Sequence, residues 1–307
     1  MTYDLFKQQL IASLREFFPA DTQIAIRPFS HNNQLTLDGL TILEPGSNIS
    51  PTIYLNFYFE KYQKGTAFSS IQQQILQYYH RHCLTDYIDT SFFTNFDHVC
   101  SRIVYKLVHY EKNRELLKEI PHFPYLDLAI IFYCLVPEGP YENASILIYN
   151  HHLTYWEVQP QALLNLAHKN TPLLLPWRCD SLAELILPAL DVLPIEERPS
   201  AEALLDAKTI PMYVLSNEQR YFGASCILYP NTLKMISQKF VDNLYILPSS
   251  IHEVILIPAS FSEDANELSE IVREVNVSEV AQDEILSDSV YYYDQHIEQI
   301  SVISGKF

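Results

Sequence analysis

Glycine is scarce in this chain, six residues in 307, and no two are adjacent or within a turn of each other. Phosphate and dinucleotide sites built on backbone amides need a glycine-rich loop, so neither a Walker nor a dinucleotide fingerprint exists here, and Gly223 is alone in FGAS. No GxSxG elbow raises a serine as nucleophile, and no HExxH pairs histidines for zinc. The five cysteines (Cys83, Cys100, Cys134, Cys179, Cys226) are odd in number and form no CxxC pair. That pattern fits neither a zinc site nor a disulfide framework, and implies reduced thiols in a cytoplasmic compartment. No metal or cofactor is expected. Basic residues are also few, 20 Lys and Arg against 37 Asp and Glu, a net charge of −17. Direct binding to nucleic acid or to an anionic membrane surface is disfavoured by that balance, whereas docking to a basic protein is compatible with it. Simple solubility is the other reading of the same charge. No apolar run approaches the ~20 residues of a membrane-spanning helix. The first residues, MTYDLFKQQLIASLREFF, carry Asp4 and lack the unbroken apolar core of a signal peptide.

What is present suits a folded protein. Hydrophobic residues make up 48% of the chain, enough for a core, and its length admits one large domain or two ordinary ones. The 21 tyrosines suit packed surfaces and interfaces, because the ring can be buried while the hydroxyl stays wet.

Periodicity predicts a helix over 3–18, with Leu5, Phe6, Leu10, Leu14, Phe17 and Phe18 on one stripe, then a strand pair turning at Asn32-Asn33. Pro51 is read as opening a helix to Tyr62 that Gly65 stops, with a strand over 52–59 as the alternative. Residues 69–83 form a clearer helix, and its tail of His80, Arg81 and His82 reads as a polar C-terminus, since His80 and His82 point to different faces. From Arg102 the texture becomes sheet, with 126–136 as the central strand. A turn at 137–140, a strand at 145–149, and a short helix at 161–168 ended by Asn170-Thr171-Pro172 follow. A helix near 182–190 precedes PIEERPS, the best linker candidate. The stretch 209–258 reads as strand, helix with Pro230 in its first turn, strand, polar corner and strand. After it come a helix holding Leu268, Ile271, Val272 and Val275, a second short helix capped by Ser278, and a strand at 290–293.

Two places carry chemistry. The corner Pro248-Ser249-Ser250-Ile251-His252-Glu253 sits between apolar runs. Were the strand to extend through it, His252 and Glu253 would enter a buried sheet and need partners. Ser249, Ser250, His252 and Glu253, joined by His151 and its neighbours Asn150 and His152, are the candidate catalytic set. A hydrogen-bonded structural pair is the alternative. The second place is late in the chain, where acids outnumber a single base, Arg273. Glu263, Glu267, Glu270, Glu274, Asp283 and Glu284 are the candidate binding residues, and a solvated helix face is the plainer reading.

The runs GLTI (39–42), PTIYLNFY (51–58), RIVYKL (102–107), LDLAIIFY (126–133), ILIYNHHLTYW (146–156), MYVLSN (212–217), FGASCILYP (222–230), LYILPSSIHEVIL (244–256) and LSDSVYYYD (286–294) resemble a bacterial family of unknown function. Its members come from anaerobic Gram-positive gut bacteria, often in mobile DNA. The part from about Ser101 to Pro258 also resembles a second uncharacterised bacterial family. Neither resemblance implies an activity. The expected fold is α+β, with a helix-rich N-terminal part (1–100) holding a small strand pair. A mixed sheet with flanking helices and acidic C-terminal helices is expected over 101–307. The expected function is protein–protein contact with a basic partner, such as inhibition of a nucleic-acid-binding host or defence protein. A hydrolase centred on the 249–253 corner is the alternative.

Overall fold

Thr2 accepts a hydrogen bond from the Leu5 amide and starts the first helix, Tyr3–Leu14. In this computed structural model the described residues are 1–47, 50–83, 93–136, 145–190, 210–261 and 265–304. They divide into two units, Met1–Phe92 and Phe93–Phe307.

In the first unit Phe6, Leu10 and Leu14 recur every four residues and are fully buried. Leu5 and Phe17, expected on the same stripe, are instead exposed. A tighter turn over Arg15–Phe17 breaks the helical register and swings Phe17 outward. Strands β1 (Gln23–Ser30) and β2 (Thr36–Leu43) form the expected antiparallel pair, with Asn33 in the left-handed conformation at the turn. Both readings of the next segment hold in part: Ile53–Tyr54 is a short strand, β3, against β2, and the helix starts only at Leu55. It ends at Gln63, with Gly65 at φ +100° beyond it. Helix Phe68–His82 buries Ile71, Ile75, Leu76 and Tyr79 into the core that β2 and the first helix share.

The second unit holds two sheets. In the first, the nearly all-buried β6 (Leu128–Leu135) is central, as its unbroken apolar run predicts. Strand β4 (Ile103–His109) lies on one side of it, and β5 (His122–Tyr125) and β7 (Ser145–Leu147) follow each other on the other. The second sheet comprises β8 (Trp177–Ser181), β9 (Tyr213–Asn217), β10 (Leu244–Leu247), β11 (Val254–Pro258), β12 (Val290–Asp294) and β13 (Gln299–Ser304). Their order is β13-β12-β10-β11-β9-β8. The α+β class stands, but the mixed sheet does not: every pair among the described strands is antiparallel. Short connections such as 126–127 and 248–253 can only reverse the chain, whereas a parallel neighbour needs a long crossover.

Three local expectations change. The helix expected to stop at Asn170-Thr171-Pro172 runs on, as Pro160–Leu174. Thr171 Oγ1 donates to the Ala167 carbonyl at 2.6 Å and accepts the Tyr105 amide at 3.2 Å, which anchors this turn although Pro172 cannot donate to the His168 carbonyl. Pro230 does not lie in a helix. Left-handed Asn231 (φ 62°) separates the turn Gly223–Leu228 from helix Thr232–Phe240. Ser278 caps no second helix, because its hydroxyl donates back to the Glu274 carbonyl at the end of helix Ala265–Ser278. The turn at 137–140 and the PIEERPS segment lie outside the described residues. Among the described residues no helix is long and apolar enough to cross a membrane.

Candidate functional site

Strand β11 begins at Val254, so His252 and Glu253 sit in the β10–β11 connection and not on the faces of a buried sheet. The connection is held by main-chain bonds to 284–287. The Ile251 amide donates to the Glu284 carbonyl at 2.8 Å, and the Leu286 and Ser287 amides donate to the Ser249 and Pro248 carbonyls at 3.0 and 2.9 Å. Ser250 is buried, and its Oγ accepts the His252 amide at 3.0 Å. The His252 carbonyl accepts Ser216 Oγ at 2.7 Å. Ring atom Nδ1 of His252 accepts the Phe222 amide at 3.3 Å, which assigns the hydrogen of the neutral ring to Nε2. Nε2 faces Glu284 Oε1 at 3.5 Å. A general base needs a free lone pair aimed at its nucleophile, and the one lone pair of this ring is already bound to backbone. In this arrangement the His252 ring lone pair meets the Phe222 amide, and Ser250 Oγ meets the His252 amide.

His151 has its own surroundings. It lies in helix Asn150–Trp156, stacked on Tyr149 and 4.1 Å from the His152 ring. Burial and the His151 charge hold the His152 pKa below its usual value, and His152 Nδ1 accepts the Tyr149 amide at 3.0 Å. Asn150 donates to the Lys118 carbonyl. Among the described residues these partners belong to the first sheet and its helices, not to the 249–253 corner.

The structure brings other residues to the corner that the sequence reading passed over. The Phe222 ring stacks on His252 (5.6 Å, 15°) and receives the Lys106 ammonium at 3.9 Å. Lys106 is half-buried on β4 and pairs with no carboxylate among the described residues, and burial lowers its pKa to about 8. Gly223 explains why glycine follows Phe222. A Cβ there would stand 2.1 Å from Ser216 Oγ and 2.6 Å from the His252 carbonyl oxygen. Close backbone approach makes that lone glycine necessary, not a phosphate loop.

A second constellation ties the two sheets together. Asp127, at the β5–β6 turn, accepts hydrogen bonds from Ser287 Oγ (2.6 Å), Ser289 Oγ (2.8 Å) and the Tyr291 hydroxyl. Burial, reinforced by the Asp127 charge, holds the Tyr291 pKa well above its usual value. Ser287, Ser289 and Tyr291 alternate in sequence, as hydroxyls sharing one face of an extended segment must. That alternation inside LSDSVYYYD was the legible signal for it.

The candidate binding residues separate by environment. Glu267, Glu270 and Glu274 are exposed on one stripe of helix Ala265–Ser278, opposite buried Leu268 and Val272. None pairs with a cation among the described residues. Asp283 is half-buried, and Glu284 turns to His252 and so joins the corner. Glu263 lies outside the described residues.

No curated protein and no solved structure matches the chain. A family of unknown function, DUF5688, matches residues 3–295. That span takes in the corner, the Asp127 constellation and the acidic helix alike, and the chain belongs to this family.

Proposed function

We propose that this protein acts through contact with a basic protein partner and that the acidic stripe of helix Ala265–Ser278 is the docking surface. One observation carries the reading: Glu267, Glu270 and Glu274 stand exposed on one face, unneutralised by any cation among the described residues. The net charge of −17 supports it, because long-range attraction would speed the encounter with a basic surface. A carboxylate row can occupy a surface evolved for phosphates, so the partner class that fits best is a nucleic-acid-binding protein, held off its substrate. The setting is a reducing, cytoplasmic one, as the free cysteines suit. The resemblance to proteins of bacterial mobile DNA makes a host or defence protein a fitting target.

The test is capture of partners by the tagged full chain from a bacterial lysate at low and high salt, beside a Glu267→Lys/Glu270→Lys/Glu274→Lys variant. A single basic protein should be retained at low salt and released at high salt. The variant should bind it roughly tenfold or more weakly. Binding that ignores both salt and charge reversal rules the stripe out.

A further inference from the structure

A groove of about 540 Å³ opens between the β8–β9 face and helix Thr232–Phe240, away from both the corner and the acidic stripe. Strand alternation sets its floor: Trp177, Cys179 and Ser181 share one face of β8, with Tyr213 opposite Ser181 on β9. Phe240 covers that end, its ring 4.3 Å from Tyr213, and Met235, more than half exposed, borders the groove from the helix. Three half-buried aromatic side chains thus line one concavity, as in small-molecule sites where rings pack against a flat ligand.

Two charges of opposite sign complete the lining, Lys239 and Glu184, and neither has an ion-pair partner among the described residues. Lys239 lines the groove from helix Thr232–Phe240, across from the β8–β9 floor that holds Cys179, and its charge pulls the Cys179 pKa down. Burial outweighs that pull and raises the thiol to about 11, so Cys179 is a neutral wall and not a nucleophile. Glu184 lies one helical turn beyond Ser181, at the Tyr213–Phe240 end. The volume suits a small ligand, and the lining asks for a ring, an anion and a cation in one molecule.

We propose that this groove binds a free amino acid with an aromatic side chain. Lys239 takes its carboxylate, Glu184 its ammonium, and the rings of Trp177, Tyr213 and Phe240 its side chain.

The chain has two tryptophans, so a Trp156→Phe variant leaves Trp177 as the sole reporter of the groove. Titrating L-phenylalanine into it should give a saturable fluorescence change. Phenethylamine, lacking the carboxylate, and phenylpropionate, lacking the amine, should each bind at least about tenfold more weakly, a loss of ~1.4 kcal/mol. Lys239→Met and Glu184→Gln should weaken phenylalanine binding to a similar extent. Should Trp156→Phe fail to fold, the unmodified chain beside Trp177→Phe replaces it, and the ligand-induced change must vanish in the latter. The proposal is overturned by no saturable change up to about 10 mM phenylalanine, well beyond the millimolar affinity of a weak site. It is equally overturned if the two analogues match phenylalanine, or if both charge variants bind as tightly as the parent.

Discussion

Asp127 and the Glu267–Glu270–Glu274 stripe use the same functional group to opposite ends. Asp127 is half-buried and accepts three hydroxyl donors from one segment, so its charge is engaged inside the fold, joining the two sheets of the second unit. The three glutamates are exposed and have no such donors among the described residues. Burying a carboxylate without donors is costly, whereas an exposed one stays hydrated and free to attract. Donor supply and burial, not residue type, separate a brace from a docking surface. Sequence counting sees only acids in both places.

Removing the Asp127 carboxylate should break this contrast most visibly. Asp127→Ala strands three hydroxyls whose bonds to a charged acceptor contribute ~1.5–3 kcal/mol each, and the net cost should be about 4 kcal/mol in urea denaturation. A cost below about 1 kcal/mol would mean the hydroxyls find water instead. Gly223→Ala should cost about 3 kcal/mol, since the new methyl must displace either Ser216 or the His252 carbonyl. A neutral result would show that the two segments can separate without loss.

Lys106 sharpens the comparison from the cationic side, as a half-buried charge held over an aromatic face. Its pKa falls from 10.5 unfolded to about 8 folded, so between these values the unfolded chain holds more protons. Its penalty on stability is therefore fully present below pH 8, is relieved as pH rises from 8 towards 10.5 and is gone above 10.5. Lys106→Met should stabilise the protein by about 1–2 kcal/mol at pH 7, with the gap shrinking by pH 10. Paired denaturation curves at the two pH values decide it, and a constant gap would assign the effect to packing. Smallest of all should be the stability change in the triple glutamate-to-lysine variant, within about 0.5 kcal/mol despite its effect on partner capture. A larger loss would place those glutamates in the fold and not on a docking surface.

Most elements were legible in the sequence where one periodicity ruled. The helix Phe68–His82 and strand β6 fell where their apolar spacing put them, because each buries a single continuous surface. Boundaries failed where a side-chain bond or a left-handed residue overrode the proline signal. Thr171 carries its helix past the expected stop, and Asn231 starts a helix that Pro230 was assigned to open. The corner was legible as a concentration of polar residues, but its hydrogen-bond partners were not. Those partners are the Phe222 amide, reaching His252 Nδ1 across thirty positions, and 284–287, pairing beside 248–251.

By itself the sequence determined the α+β composition, the strand and helix faces, the charge and the dearth of motifs, because these follow from local spacing and residue chemistry. Only the tertiary structure decided which carboxylate gathers three hydroxyls, which lysine sits over an aromatic ring and which way a histidine lone pair points. Each of those depends on a donor or an aromatic face delivered from a distant segment, and no local pattern encodes that meeting.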